Sequence, residues 1–151
     1  MDVQDEIKAL KQRIAELEEL AEQEKEFPQD GDAYWYINPL GFAFHDEWSG
    51  FITERHKIEI GNVFKTEQDA HFVAEKLKVE AELRKFSRPF EVGKNNTEFY
   101  YDHEFGGIMF CTLTASQTQG AIYFESREKA QQVIKSVGED RIKKYIFGVE
   151  G

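Results

Sequence analysis

Residues 61–77, GNVFKTEQDAHFVAEKL, are echoed by residues 121–137, AIYFESREKAQQVIKSV, at a constant offset of 60. Under that offset Phe64 falls on Phe124, Thr66 on Ser126, Ala70 on Ala130, Val73 on Val133 and Leu77 on Val137. Each copy reads as the end of a strand, a hydroxyl N-cap, and a helix with apolar residues at helical spacing. Upstream, Tyr34-Trp35-Tyr36 is echoed by Phe99-Tyr100-Tyr101, at a slightly different offset that a loop absorbs. The expectation is an α+β chain in three parts. An N-terminal coiled-coil helix fills residues 1–27, one antiparallel-sheet-plus-helix unit fills 28–90, and a repeat of that unit fills 91–151.

The leader carries Val3, Ile7, Leu10, Ile14, Leu17 and Ala21, spaced 4, 3, 4, 3, 4. Ile7 and Ile14 at a, with Leu10 and Leu17 at d, is the combination that favours two parallel strands. Pairing g with the following e sets Glu6 against Lys11 and Arg13 against Glu18, opposite in sign both times. A homodimer is the expected assembly. The competing reading is an amphipathic helix docked on its own domain, because three heptads is short for a free coiled coil. Pro28 and Gly31 predict a helix end near Phe27.

Within the units AYWYI, HKIEI, EFYYDH, GIMFCTLT and GAIYF read as strands, and GNVF as a strand entering the helix. Thr66 reads as the N-cap of one helix that continues through residues 69–86 without Gly or Pro and carries two apolar stripes: Ala70, Val73, Ala74, Leu77 and Ala81, and Phe72, Val79, Leu83 and Phe86. Two stripes imply cover on two sides. Gly106-Gly107 reads as a two-residue hairpin turn, and GEDRIKKYIF as a short last helix.

The net charge of −10 has no basic cluster to follow a phosphate backbone, so direct nucleic-acid binding is not expected. Acidity favours basic protein partners instead. The single cysteine, Cys111, permits no internal disulfide and suits a reducing cytoplasm; it reads as a buried thiol in an apolar strand. Neither a membrane-length apolar run nor a signal peptide is legible.

His45-Asp46-Glu47 and Asp102-His103-Glu104 offer metal-ligand types. Adjacent strand residues point to opposite faces, and turn residues follow both triplets, so polar turns are the plainer reading. A metal-dependent hydrolase using His45, Asp46, His103 and Glu104 is a weaker alternative. No nucleotide-binding or hydrolase motif occurs. The expectation is therefore no cofactor, no metal and no catalytic residue. Tyr34, Trp35, Tyr36, Phe99, Tyr100 and Tyr101 are the candidates for contacting a ligand or partner, since exposed aromatic rings offer stacking surfaces.

In GDAYWYI, in GNVFKTEQDAHFVAEKLKVEAELRKF and in the closing RIKKYIFGVEG, the chain resembles small accessory proteins of phages and prophages of Gram-positive bacteria. Gly61, Asn62, Phe64, Lys65, Thr66 and Ala70 match the strand-to-helix motif of that group, and His71 stands where it tends to have Glu. Some proteins of that kind inhibit host defence, anti-CRISPR proteins among them. The resemblance implies a non-enzymatic, oligomeric viral protein of the host cytoplasm that binds and blocks a host protein, such as a nucleic-acid-handling defence effector. From the residues alone, a dimer that sequesters a small nucleotide between its aromatic strands stays open.

Overall fold

The computed structural model describes residues 2–23 and 26–150. The described elements run α1 (Val3–Gln23), β1 (Ala33–Ile37), β2 (Ala43–Glu47), α2 (Ile52–Glu59), α3 (Glu67–Arg84), β3 (Asn96–Asp102), β4 (Gly107–Leu113), α4 (Arg127–Val137) and α5 (Glu139–Tyr145). The chain is mixed α+β, with two small antiparallel two-stranded sheets, β1–β2 and β3–β4. Asp2 opens α1, its Oδ1 accepting the Asp5 N–H at 2.8 Å. Residues 24 and 25, within the expected last turn of the leader, lie outside the described residues.

Each hairpin is followed by a single bridging residue that pairs back onto its first strand. Phe64 exchanges both main-chain hydrogen bonds with Trp35 at 2.8 Å, and Phe124 exchanges both with Thr97 at 2.9 and 2.8 Å. Two residues later comes a hydroxyl cap. Thr66 Oγ1 accepts from Asp69 N–H at 3.1 Å and opens α3, and Ser126 Oγ accepts from Lys129 N–H at 3.0 Å and opens α4. GNVF and GAIYF, expected as strands, are thus reduced to bridges at Phe64, Tyr123 and Phe124. The residues at the bridges are Trp35 and Thr97, so the aromatic triplets sit at different heights along β1 and β3.

Two further expectations are corrected. HKIEI is helical, the C-terminal part of α2 with the turn after it. Its alternation has no sheet behind it, because Ile58 and Ile60 are both exposed. What fixes the helix is polar: Glu54 Oε1 accepts the N–H groups of Ser49 and Phe51, at 2.9 and 3.3 Å. The second hairpin turn is longer than Gly106-Gly107, since Asp102 pairs with Gly107 and His103–Gly106 form the loop. Asp102 Oδ1 accepts from both Glu104 and Phe105 N–H at 2.9 Å, the local bonding by which Asp shapes a turn.

The main core lies where α3, α4 and α5 meet the second hairpin. It holds Val79, Leu83, Phe124, Ala130, Val133, Ile134, Val137 and Ile142, with Phe99, Ile108 and Phe110 packed against it. Helix α3 contacts β1 and β2 as well as α4 and α5. Its two stripes explain this: Ala70 and Ala74 are buried, as are Val79 and Leu83, and Phe72 packs on Tyr145 of α5 with centroids 5.2 Å apart. Leu77, Ala81 and Phe86 stay exposed.

Candidate functional site

The heptad residues stand on a helix whose apolar seam is open. Exposure runs from 40% at Ile7 to 68% at Val3, with Leu10, Ile14, Leu17, Leu20 and Ala21 also exposed. Arg13 pairs within its own helix, with Glu16 at 3.4 Å.

A second exposed apolar set lies between Leu40 and Ile60. Leu40, Phe42, Phe44, Phe51, Ile52, Ile58 and Ile60 are 44–78% exposed, all within twenty-one residues of chain. The turn between β1 and β2 displays the first two and β2 the third; the ends of α2 display the rest. Large exposed apolar residues concentrated this way are a mark of surfaces covered by another molecule.

The aromatic candidates do not converge. Tyr34 is fully buried, edge-on to Trp48 with centroids 5.6 Å apart, and Tyr36 lies under Lys57, whose Nζ is 3.7 Å from the ring centre. Trp35 faces the other way and rests against His45, its cross-strand partner, at 5.0 Å. Phe99 stacks on Phe124 at 6.0 Å, and Tyr101 contacts Phe147 and His103. Tyr100, the middle residue, is 42% exposed. It borders a cavity of about 260 Å³, lined also by Arg84, Glu98, Phe99, Ile122 and Phe147. Glu98 Oε1 accepts from Thr118 Oγ1 at 3.2 Å, and its Oε2 is buried with no hydrogen-bond partner.

One polar cluster joins β1 to α2. Lys57 Nζ donates to the Tyr34 hydroxyl at 3.2 Å, and that hydroxyl neighbours the Glu54 carboxylate, whose Oε2 is buried with no hydrogen-bond partner. Burial raises the Tyr34 phenol well above its ordinary value of 10.0, and the Glu54 charge adds to it. Burial opposes ionisation of Glu54 too. Even so, the Tyr34 hydroxyl, the Ser49 and Phe51 amides and the Lys57 charge hold that carboxyl below its ordinary 4.5. Sequence reasoning passed over Glu54. Its one signal was a Glu three residues after Phe51, where an N3 acid serves a helix start.

The His-Asp-Glu triplets serve local structure. Asp46 Oδ1 accepts the Glu47 N–H at 2.8 Å, and Asp102 holds its turn. Among the described residues no three His, Cys, Asp or Glu side chains gather into a metal-binding set, and no helix is long and apolar enough to cross a membrane. No protein-family model, no curated protein and no solved structure matches this chain.

Proposed function

We propose that this chain is a non-enzymatic, phage-encoded accessory protein of the host cytoplasm that binds and inhibits a host protein, a nucleic-acid-handling defence effector of the kind anti-CRISPR proteins block. The observation that carries the proposal is the exposed apolar set from Leu40 to Ile60 on a chain of net charge −10. Apolar anchors on an acidic surface suit a partner that is basic because it holds nucleic acid. In this reading the hairpin–bridge–cap–helix segments are two copies of one unit, and α1 forms a parallel two-stranded coil that presents two such surfaces together.

The test is capture from a Gram-positive host lysate, followed by a nuclease assay on the purified partner. A stoichiometric partner held at low salt, whose nucleic-acid binding the chain competes away, is the expected result. Phe42→Asp/Phe44→Asp should abolish both effects while leaving the helical signal intact. Failure to capture any stoichiometric partner at low salt would overturn the proposal.

The cavity beside Tyr100 supports a second reading, a binder that sequesters a small nucleotide. At about 260 Å³ it has room for a base, and Arg84 lines it together with Glu80 and Glu98. A thermal-shift panel of nucleotides separates the readings, since a tight ligand raises apparent stability by mass action.

A further inference from the structure

The geometry points to a self-association surface distinct from α1: the outer edge of β4 pairs antiparallel with the same edge of a second copy. Thr97 gives both its main-chain hydrogen bonds to Phe124, so it has none for its cross-strand neighbour Thr112. Antiparallel pairs alternate between bonded and non-bonded. The N–H and C=O groups of Ile108, Phe110 and Thr112 therefore face away from β3, and no main-chain partner meets them among the described residues. The strand is GIMFCTL, seven residues with no charge and no proline. Such an edge is a template for another strand unless something blunts it.

The first hairpin shows what blunting looks like. The same bridge argument, with Trp35 bonded to Phe64, turns Ala43, His45 and Glu47 outward on β2. That edge carries three consecutive polar residues, and Asp46 Oδ1 occupies the Glu47 N–H at 2.8 Å. Among the described residues nothing comparable protects β4.

The occupant is a second copy because the surface is complementary to itself. A two-fold axis at Phe110 sets Phe110 against Phe110 of the second copy and Ile108 against Thr112 of the second copy. All three outward residues then form bonded pairs, about six main-chain hydrogen bonds in all. Beside the edge lies an open groove of about 510 Å³, bounded by Ile108 and Phe110 and by Glu128, Gln131, Gln132 and Lys135 of α4. Helix α4 lies over β3, so the two copies of α4 run antiparallel some three strand spacings apart, ~14 Å, a gap that long side chains span. Inverting α4 between Gln131 and Gln132 places Glu128 opposite Lys135 of the second copy, and Gln131 opposite Gln132. Charges meet opposites and amides meet amides. Among the described residues neither Glu128 nor Lys135 has an ion-pair partner.

A contact of this size belongs to the weak class of interfaces, so it is tested at hundreds of micromolar with the α1 seam disabled. In the full chain carrying Leu10→Lys/Ile14→Lys, sedimentation should show a dimer at that concentration. Lys135→Glu, on an exposed side chain, should weaken this dimer about tenfold by setting like charges across the axis, and Glu128→Lys/Lys135→Glu should restore it. Register is read separately. Met109→Cys should meet the native Cys111 of the second copy at a non-bonded pair, within disulfide reach, and link the copies on mild oxidation. Met109→Cys/Cys111→Ser should not link. A monomer at hundreds of micromolar, or a dimer indifferent to charge reversal and without the linkage, would overturn the inference. An edge that serves an extended segment of a different protein gives the first of these results. Because α1 is disabled throughout, failure here leaves the coiled coil untouched.

Discussion

Glu54 is the residue that ties α2 to β1. Its Oε1 closes the start of α2, and its charge sits among Tyr34, Lys57 and two backbone amides. Glu54→Ala removes bonds to a charged acceptor and strands those amides, so it should destabilise the chain by about 2 kcal/mol, read by denaturant unfolding. The folded carboxyl titrates below its ordinary 4.5, so the unfolded chain takes up the proton first. The stabilisation is complete at neutral pH and fades as pH falls below about 4.5. Tyr34 works in the opposite direction. Its folded phenol is raised above 10.0, so its contribution is whole below that pH and is lost as pH rises beyond it. Tyr34→Phe should flatten the alkaline limb of the stability profile, and Glu54→Ala the acid limb. Asn96 plays a comparable part at the start of β3, fully buried, with Nδ2 donating to the carbonyls of Glu91, Lys94 and Leu113 and Oδ1 accepting from Arg88 and Glu91. Asn96→Asp keeps the shape but faces three carbonyls with a carboxylate. It should destabilise by 3 kcal/mol or about that, more than any exposed substitution.

At the scale of elements, the caps are the most legible feature and the easiest to weigh. Thr66→Ala and Ser126→Ala should each cost about 1 kcal/mol, additively, since they open different helices; thermal unfolding of singles and double checks this. Five members of the motif around them have a defined structural task. Gly61 takes φ +73°, Asn62 pairs with both main-chain groups of Ile37, Phe64 makes the bridge, Thr66 caps and Ala70 is buried. What misled was pattern without a partner. HKIEI alternates apolar and polar, yet α2 is held by Glu54 and Lys57 reaching to a distant strand, which periodicity does not record. The two stripes of α3 were visible for the reverse reason: a helix covered twice must be apolar twice. The exposed set from Leu40 to Ile60 was not foreseen. Isolated apolar residues in turns and a short helix carry no period, and only burial shows that the fold leaves them outside.

For the whole molecule the decisive question is what covers α1. Its seam is open along its length, with exposed Ile and Leu on a 21-residue helix, and the proposed parallel coil would cover it. Leu10→Lys/Ile14→Lys places four like charges in one seam of a dimer. Each replaced side chain also forfeits ~1.5–3 kcal/mol of apolar burial. The main core, from Val79 to Ile142, contains no residue of α1, so the rest of the chain should keep its fold. Sedimentation at low micromolar concentration, below the reach of the weaker β4 contact, should show a wild-type dimer and a double-variant monomer with unchanged near-ultraviolet ellipticity. A wild type already monomeric at tens of micromolar, or a variant that unfolds outright, would mean that α1 folds back on its own domain and that the paired presentation of two apolar surfaces must be abandoned.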